Sequence, residues 1–375
     1  MSASSEDSCE LSVGYVETCV DRWKLDSRFF PSKVGGYPAW LDFNIPDAED
    51  LKCRKCGNPC IFLCQVYAPI EEQENCFHRT IFIFLCLSPD CCENNTNVNL
   101  KVFRCQLPRK NAFYPYDPPV YEENWCKEIC ASTYCKLCIV CGCKSTSHCA
   151  KCKKANYCSR QHQVSDWKAG HKEVCEENNV VVAKSELLLP EFELLVGVEA
   201  GSSDSSSSSL SDEENGEETP TSVDKVEATF QEIAQMRVAQ RLHMELHSHK
   251  NLFCNSQVDE DLLRMARSEQ SDDRTFHHFK KCTNRHPRQV LRYDRGGEPL
   301  WIANVADPLT VPPCQYCGAD RKFEFQILPQ LLNHLGLDSC ERSVDWGTLA
   351  VFTCAASCDM GPPYKAEFVW KQDLS

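Results

Sequence analysis

The sequence lacks the features that would place a chain in a membrane or carry it across one. Hydrophobic residues make up 42% of its 375 positions, yet no apolar run approaches the roughly 20 residues of a membrane span. The N-terminus, MSASSEDSCELS, is polar and acidic, so we expect neither a signal peptide nor a transit peptide. No basic run suggests a nuclear import signal. We therefore expect a cytoplasmic and nuclear protein whose 28 cysteines stay reduced.

Sequence signatures of catalysis are also missing. The chain has no Walker-type phosphate loop, no G-x-S-x-G elbow, and no Asn-His-Ser-Cys signature of a lysine methyltransferase domain. Each cysteine and histidine cluster described below supplies four protein ligands, which leaves no open position on a metal for water or substrate. These features predict a binding protein and not an enzyme.

Negative charge is concentrated in one part of the chain. The formal net charge is −14, and residues 176–230 hold 14 acidic residues against Lys184 and Lys225. A chain of this sign is a poor candidate for direct binding of nucleic acid. It is better suited to a partner that is itself basic.

Residues 138–175 contain four closely spaced ligand pairs. Two pairs have C-x2-C spacing, one has C-x3-H spacing and one has H-x3-C spacing. The pairs are Cys138 and Cys141, Cys149 and Cys152, Cys158 and His162, and His171 and Cys175. Thiolates and imidazoles in such pairs are the ligands of closed structural zinc sites. A disulfide framework is the alternative, but the interspersed histidines and the missing secretory context argue against it. The stretch therefore predicts two zinc ions.

This stretch resembles the MYND-type zinc finger, including Tyr157 and the Asp166-Trp167 pair. The resemblance implies interleaved sites. One zinc ion would be held by Cys138, Cys141, Cys158 and His162, and the other by Cys149, Cys152, His171 and Cys175. His162 stands where most of that family has cysteine, and the spacer before His171 is looser, but histidine is an equally good ligand. Gln163 and Trp167 resemble the peptide-contacting face of some of these fingers.

Two distant parts of the chain repeat each other. Residues 35–66 align without a gap to residues 296–327, at a constant offset of 261. Each copy has a GG-x-P-x-W turn, and a C-x2-C-G knuckle begins thirteen residues after the tryptophan. TIFIFLC, ending at Cys86, and TLAVFTC, ending at Cys354, are rich in β-branched and aromatic residues and predict buried strands. The sequence thus indicates an internal duplication.

Each copy also predicts a zinc site of its own. Cys53, Cys56, Cys86 and Cys91 form the first set, with Cys92 as an alternative to Cys91. The second set is Cys314, Cys317, Cys354 and Cys358. Reduced core thiols are the competing interpretation, since buried free cysteine is common. The matched spacing favours one zinc ion in each copy, and hence four in the chain.

These features predict a mixed, β-rich fold with two duplicated zinc-containing β lobes, an inserted finger and a disordered acidic linker. The N-terminal lobe would open with an edge strand, and Phe192, Leu194, Val196 and Val198 alternate as in a strand. The expected segments are a disordered tail at 1–9, the N-terminal lobe at 10–125, the finger at 135–175, a returning strand at 176–199, a disordered serine-rich linker at 200–222, a helical segment at 223–275 and the C-terminal lobe at 276–375.

Taken together, these motifs resemble the programmed cell death protein 2 family. The resemblance is carried by both GG-x-P-x-W turns, by the finger, and by QLPRKNAFYP at 106–115, FEFQILPQLLNHL at 323–335 and WGTLAVFTC at 346–354. It implies a dedicated chaperone that escorts one basic small-subunit ribosomal protein, number two in eukaryotic naming, during 40S assembly. The alternative is a nuclear MYND scaffold that binds proline-containing peptides as a transcriptional co-regulator.

Overall fold

The computed structural model describes residues 11–175, 188–198, 274–304, 309–337 and 344–373. The tail expected at 1–9 and the linker expected at 200–222 lie outside these ranges, and so does the helical segment expected at 223–275 except for residues 274 and 275. Among the described residues, no helix has the length and apolar character needed to cross a membrane.

Ten strands close into one barrel in which every neighbouring pair is antiparallel. They are β1 (Ser12–Glu17), β2 (Lys33–Val34), β3 (Ile61–Tyr67), β4 (His78–Leu85), β5 (Leu100–Leu107), β8 (Phe192–Val198), β9 (Leu291–Tyr293), β10 (Arg321–Ile327), β11 (Thr348–Cys354) and β12 (Tyr364–Gln372). Their order around the barrel is β1-β8-β2-β3-β4-β5-β12-β11-β10-β9. A separate two-stranded sheet pairs β6 (Ser147–His148) with β7 (Asn156–Tyr157).

The helices of the described residues are short. They are α1 (Ala131–Tyr134), α2 (Arg160–Asp166), α3 (Lys172–Val174), α4 (Arg274–Thr283) and α5 (Gln330–Leu335). A π-helical turn at Trp167–His171 joins α2 to α3. Single 3-10 turns occur at Arg22–Leu25, Ser27–Phe29, Glu74–Cys76 and Pro89–Cys91.

The strands of the two sequence copies form two like halves of the barrel. One half runs β8-β2-β3-β4-β5 and the other runs β1-β9-β10-β11-β12, and the halves meet at the β1–β8 and β5–β12 seams. A β-bulge interrupts both halves at positions 261 apart, between Phe62 and Cys64 and between Phe323 and Phe325. The two expected lobes are therefore not separate bodies, because their strands belong to one continuous sheet.

A buried glutamine holds the turn before each tryptophan in the same way. The Gln65 side chain accepts from the Ala39 N–H at 2.9 Å and donates to the Ala39 carbonyl at 3.2 Å. Gln326 accepts from the Leu300 N–H at 2.6 Å and donates to the Leu300 carbonyl at 3.0 Å. The equivalent strand positions thus make equivalent contacts in both halves.

The expectation that the chain opens with an edge strand is wrong. β1 pairs with β8 on one side and with β9 on the other. Barrel closure leaves this strand no free edge. The strand predicted from the alternation of Phe192, Leu194, Val196 and Val198 is confirmed as β8. It pairs with β1, and this pairing could not be predicted from the sequence around β1 because β8 lies far along the chain.

Both faces of β4 are buried, as its sequence predicts, and they belong to different apolar clusters. Ile81 and Ile83 contribute to a cluster that also contains side chains of β10, β11 and β12. Phe82 and Phe84 point the other way, into a cluster that contains Trp40 and the finger. The finger is therefore packed on the outside of the first half-barrel.

Candidate metal centres

In the part of the chain that the structure describes, cysteine and histidine side chains come together in four clusters, and within each the ligand atoms all lie within 4.8 Å of one another. The groupings are those expected from the sequence: Cys138, Cys141, Cys158 and His162; Cys149, Cys152, His171 and Cys175; Cys53, Cys56, Cys86 and Cys91; and Cys314, Cys317, Cys354 and Cys358. Paired sulfurs are 3.6 Å apart for Cys141 and Cys158 and 3.7 Å apart for Cys56 and Cys86. A tetrahedron with zinc–sulfur bonds of about 2.3 Å has sulfur–sulfur edges of about 3.8 Å.

The donor sets fit zinc. Every cluster offers four protein ligands of thiolate or imidazole type, which is the composition of a closed structural site. None of the described cysteines forms a disulfide. The first-copy cluster takes Cys91, whereas the Cys92 thiol donates to the Asp345 carbonyl at 3.3 Å instead.

The C-x2-C knuckles share one backbone conformation. In the first copy, the Gly57 N–H donates to the Cys53 carbonyl at 3.0 Å, and the Cys53 N–H donates to the Asn58 carbonyl at 2.8 Å. This turn requires a positive φ four residues after the first cysteine, a conformation that glycine adopts without strain. The residues there are Gly57 at +70°, Gly142 at +70°, Lys153 at +59° and Gly318 at +75°.

Backbone N–H groups in the knuckles favour thiolates. Burial alone would raise the pKa of the Cys314 thiol, but the N–H groups of Tyr316 and Cys317 outweigh it and lower that pKa to about 7. At Cys152, burial is outweighed by the N–H groups of Ala155 and Lys154, and the pKa falls to about 6. A thiol that ionises near neutral pH is ready to bind a metal ion.

A carboxylate stands behind the second finger cluster. The Tyr157 hydroxyl donates to Asp166 Oδ2 at 2.7 Å, and that oxygen lies 3.8 Å from His171 Nδ1. The other ring nitrogen of His171, Nε2, lies 3.7 Å from Cys152 Sγ. The separation of 3.8 Å is too long for a hydrogen bond, so Asp166 is an electrostatic neighbour of His171 that the Tyr157 hydroxyl holds in place.

The finger is fixed to the first GG-x-P-x-W turn. The Trp40 indole N–H donates to the Gly142 carbonyl at 2.9 Å, and the Tyr37 hydroxyl donates to the Ile139 carbonyl at 2.7 Å. Lys144 forms an ion pair with Asp47 at 2.7 Å. Trp40 is only 1% exposed, so this contact is part of the core. The finger therefore does not behave as a freely attached module.

A cleft of about 840 Å³ lies between the finger and the start of the chain. Its apolar lining includes Trp23, Leu25, Ile129, Leu137 and Ile139. The charged side chains in its wall include three ion pairs, namely Arg28 with Asp26, Lys33 with Glu191, and Lys127 with Glu123. The cleft thus combines an apolar lining with internally paired charges.

The residues that resemble a peptide-contacting face lie elsewhere on the finger. Gln163 and Trp167 are half-buried on α2 and on the π-helical turn, and Val164 between them is 41% exposed. The Trp167 ring packs against the His171 ring with centroids 5.8 Å apart. Trp167 therefore contributes to the packing around a cluster ligand while one part of it remains accessible.

Sequence reasoning missed a buried ion network that joins the two halves. Arg79 on β4 donates to Glu324 on β10 through two bonds of 2.7 and 2.8 Å, and Tyr293 donates to the same carboxylate at 2.7 Å. Burial would raise the pKa of Glu324, but Arg79 outweighs it and lowers that pKa to about 2. The available signal was a glutamate between Phe323 and Phe325, two residues suited to a core.

Comparison with known proteins agrees with the geometry. Residues 10–121 match the N-terminal domain of Programmed cell death protein 2, residues 273–373 match its C-terminal putative domain, and residues 138–175 match the MYND finger. The chain is 40% identical over 374 residues to Programmed cell death protein 2 of Mus musculus, covering 97% of each chain. The Bos taurus protein of that name is 41% identical over 384 residues, covering 99% of each chain.

A more distant similarity is restricted to part of the chain. Probable 20S rRNA accumulation protein 4 of Schizosaccharomyces pombe is 32% identical over 110 residues, which is 26% of each chain. No solved structure matches. The coverage by the two domain matches and by the mammalian relatives shows that the chain belongs to the programmed cell death protein 2 family.

Proposed function

We propose that the chain is a zinc-binding escort of one basic small-subunit ribosomal protein, number two in eukaryotic naming, during assembly of the 40S subunit. The observation that carries this proposal is the similarity to a fission yeast protein whose name refers to 20S rRNA accumulation. Its action would be binding and not catalysis, because each cluster supplies four protein ligands and leaves no position for a substrate. An escort works where its client is made and where it is assembled, in the cytoplasm and the nucleus.

The metal part of the proposal is four zinc ions, two in the finger and one in each half-barrel. Zinc bound by four protein ligands supplies folding free energy and no reactive water. The cysteine knuckles and the two histidines would hold the ions, with the Asp166 carboxylate close behind His171 at one of the finger sites. The matched bulges and the matched contacts of Gln65 and Gln326 support an origin of the two halves by duplication.

Two parts of the chain support binding of a basic client. Residues 176–230 hold 14 acidic residues against two basic ones and can attract a cationic partner from a distance. Exposed ion pairs contribute only about 0–1 kcal/mol each, so a stable complex also needs apolar contact. The cleft beside the finger offers such a surface through Trp23, Leu137 and Ile139. The exposed surface of the finger outside the cleft is a poor site for a cationic client, because it carries Lys151, Lys153, Arg160, Lys168 and Lys172.

The proposal is tested by affinity purification of the full chain from cells, followed by quantitative mass spectrometry. We expect one basic small-subunit ribosomal protein in near-equal amount to the chain, loosened but not fully released by moderate salt. Trp23→Ala should lower its recovery. Val164→Asp, which changes the exposed face of the finger, serves as the matched control and should leave recovery unchanged.

The competing function predicts the opposite pattern. Recovery of nuclear transcriptional co-regulators in place of a ribosomal protein, lost in Val164→Asp and kept in Trp23→Ala, would support the MYND scaffold. The observation in favour of that reading is the 41% exposure of Val164 beside Gln163 and Trp167.

A further inference from the structure

The seam between β5 and β12 is the shorter junction of the two half-barrels. Only four residue pairs join these strands, from Cys105 with Tyr364 to Val102 with Glu367. The β1–β8 seam has six such pairs, from Ser12 with Val198 to Glu17 with Glu193. The side chains that brace the shorter seam therefore matter for its closure.

Arg104 crosses this seam from the first half to the second-copy cluster. It is fully buried on β5, and its Nε donates to Glu367 at 2.7 Å. Its terminal nitrogens donate to the Cys358 carbonyl at 3.2 Å, and one of them lies 3.8 Å from Cys358 Sγ. Gln106, two residues along the same strand, donates to the Ser357 carbonyl at 3.0 Å. The loop that carries the last ligand of the second cluster thus rests on a strand of the first half.

Glu367 extends this contact to the rest of the cluster. Besides Arg104, its carboxylate accepts from the Cys354 N–H at 3.2 Å and from Arg321 Nε at 2.8 Å. Arg321 in turn donates to the carbonyls of Pro312 and Pro313, both at 2.7 Å, immediately before Cys314. One buried carboxylate therefore links three ligand-bearing segments to the seam.

The first-copy cluster is braced in the reverse direction. Lys371 on β12 donates to the Glu93 carbonyl at 3.1 Å, in the loop that follows Cys91. Farther along that loop, Asn95 and Asp373 exchange two bonds of 2.7 and 3.0 Å. The Asn97 side chain donates to the Val369 carbonyl at 2.6 Å. A strand of the second half thus holds the loop of the first cluster.

Arg104 and Lys371 occupy equivalent positions in the two halves. Arg104 pairs with Ile81 on β4, and Lys371 pairs with Leu349 on β11, the counterpart of Ile81 when the strands are aligned on Cys86 and Cys354. Each is a buried cation that donates to a backbone carbonyl in the ligand loop of the opposite half. The bracing is therefore reciprocal.

We propose that the two repeat clusters act as a reciprocal clasp on the β5–β12 seam, with Arg104 and Lys371 as positioning residues for metal in the opposite half. The inference rests on the zinc sites proposed above. Metal fixes each ligand loop, and the fixed loop holds the carbonyls to which the opposite strand donates. Loss of metal from these clusters loosens this seam before the β1–β8 seam.

The test uses zinc-loaded full chain and the variants Arg104→Met and Lys371→Met. A chelator is added, and alkylation of each cysteine by iodoacetamide is followed by mass spectrometry. Removing a group that orients a metal ligand typically weakens metal affinity by about 10–100-fold. We expect Arg104→Met to speed alkylation of Cys314, Cys317, Cys354 and Cys358 by about that factor, and Lys371→Met to do so for Cys53, Cys56, Cys86 and Cys91. Arg28→Met and Lys33→Met, which remove buried cations from another part of the first half, are matched controls and should affect neither set.

A second measurement reports the seam directly. Amide hydrogen exchange at residues 102–105 and 364–367 should accelerate on chelation, while exchange at residues 12–17 and 193–198 remains slow. Arg104→Lys should restore part of the protection lost in Arg104→Met. If each variant affects the cluster of its own half, or if both seams open together, the clasp is wrong. If all eight cysteines of the unsubstituted, zinc-loaded protein react at once before the chelator is added, the zinc sites themselves fail, and that outcome is distinct from failure of the clasp.

Discussion

At the residue scale, three knuckles have glycine at their left-handed position, and substituting each glycine distinguishes the cost of backbone strain from the cost of crowded packing. An L-residue in this conformation costs about 1–2 kcal/mol. A Cβ at Gly57 or Gly318 would meet nothing within 4 Å, whereas one at Gly142 would lie 2.9 Å from Tyr37 Cδ1. The same substitution therefore has different consequences at chemically equivalent positions.

We expect Gly142→Ala to destabilise the protein more than Gly57→Ala or Gly318→Ala. All three substitutions incur the backbone strain, but only Gly142→Ala also crowds the finger interface, where overpacking adds about 1–3 kcal/mol. Thermal unfolding of the three variants, each saturated with zinc, gives the comparison. Equal losses at all three positions would mean that Tyr37 moves aside freely.

The Arg79–Glu324 pair gives a second prediction. Glu324→Gln leaves a buried guanidinium without its counter-charge, which typically costs about 3–5 kcal/mol. Urea unfolding at neutral pH should show this loss, and Arg79→Met combined with Glu324→Leu should cost less than the two single changes added together. Additive losses would show that the two side chains stabilise the barrel independently.

The pH dependence of this pair has a definite sign. The folded-state pKa of Glu324, about 2, lies below its ordinary value of 4.5. Its contribution is therefore complete above about pH 4.5 and disappears as the pH falls through about 2. The difference in unfolding free energy between the unsubstituted chain and Glu324→Gln, measured at matched pH, should shrink on acidification over that interval. Metal loss in acid affects both proteins and cancels in the comparison.

At the element scale, each half-barrel includes one strand that lies far along the chain from the rest of that half. The first half includes β8, which lies beyond the finger, and the second half includes β1, the first strand of the chain. A fragment that ends at residue 125 therefore lacks β8, although it contains the whole first copy. The boundaries of the repeat are not the boundaries of a folding unit.

We expect residues 274–375 expressed alone to be poorly soluble, because β9 and β12 would present unpaired edges. Co-expression with residues 1–198 should restore solubility, since that fragment supplies both β1 and β8. Co-expression with residues 1–125 is the matched control and should restore less. A well-dispersed NMR spectrum from residues 274–375 alone would contradict this prediction.

The sequence was informative where the interaction is local and less so where it is distant. Knuckle spacing and the repeat predicted the ligand pairs, with Cys91 and Cys92 left as alternatives, and the resemblance to the MYND finger implied how the finger pairs combine. The composition of TIFIFLC predicted a buried strand. The packing of Trp40 against Gly142 and the bracing of Cys358 by Arg104 have no local signal, because their partners are 102 and 254 residues away. Cys91 and Cys92 are chemically identical neighbours, and only the turn at Pro89–Cys91 separates their roles.

At the scale of the whole molecule, the structure favours metal in the barrel as well as in the finger. We expect elemental analysis of purified, untagged protein to give four zinc ions per chain. In protein saturated with zinc, replacing Cys314 and Cys317 with serine should remove one ion, and replacing Cys149 and Cys152 should remove another. Two ions in the unsubstituted chain would show that the repeat cysteines are only buried thiols.

The β5–β12 seam also sets an order of events on the ribosome. The Arg104–Glu367 bond joins residues 263 positions apart, so the barrel cannot close until almost the whole chain has been synthesised. Contacts this remote in sequence make folding slow. In the meantime they leave the Ile81 and Ile83 face of β4 uncovered, because the cluster that it joins includes side chains of β10, β11 and β12. The finger, complete at Cys175, can already dock at that stage on Trp40, whose ring stacks on Phe82 and Phe84. Its docking on Trp40 would thus shield one face of an incomplete sheet while the second half is still being translated.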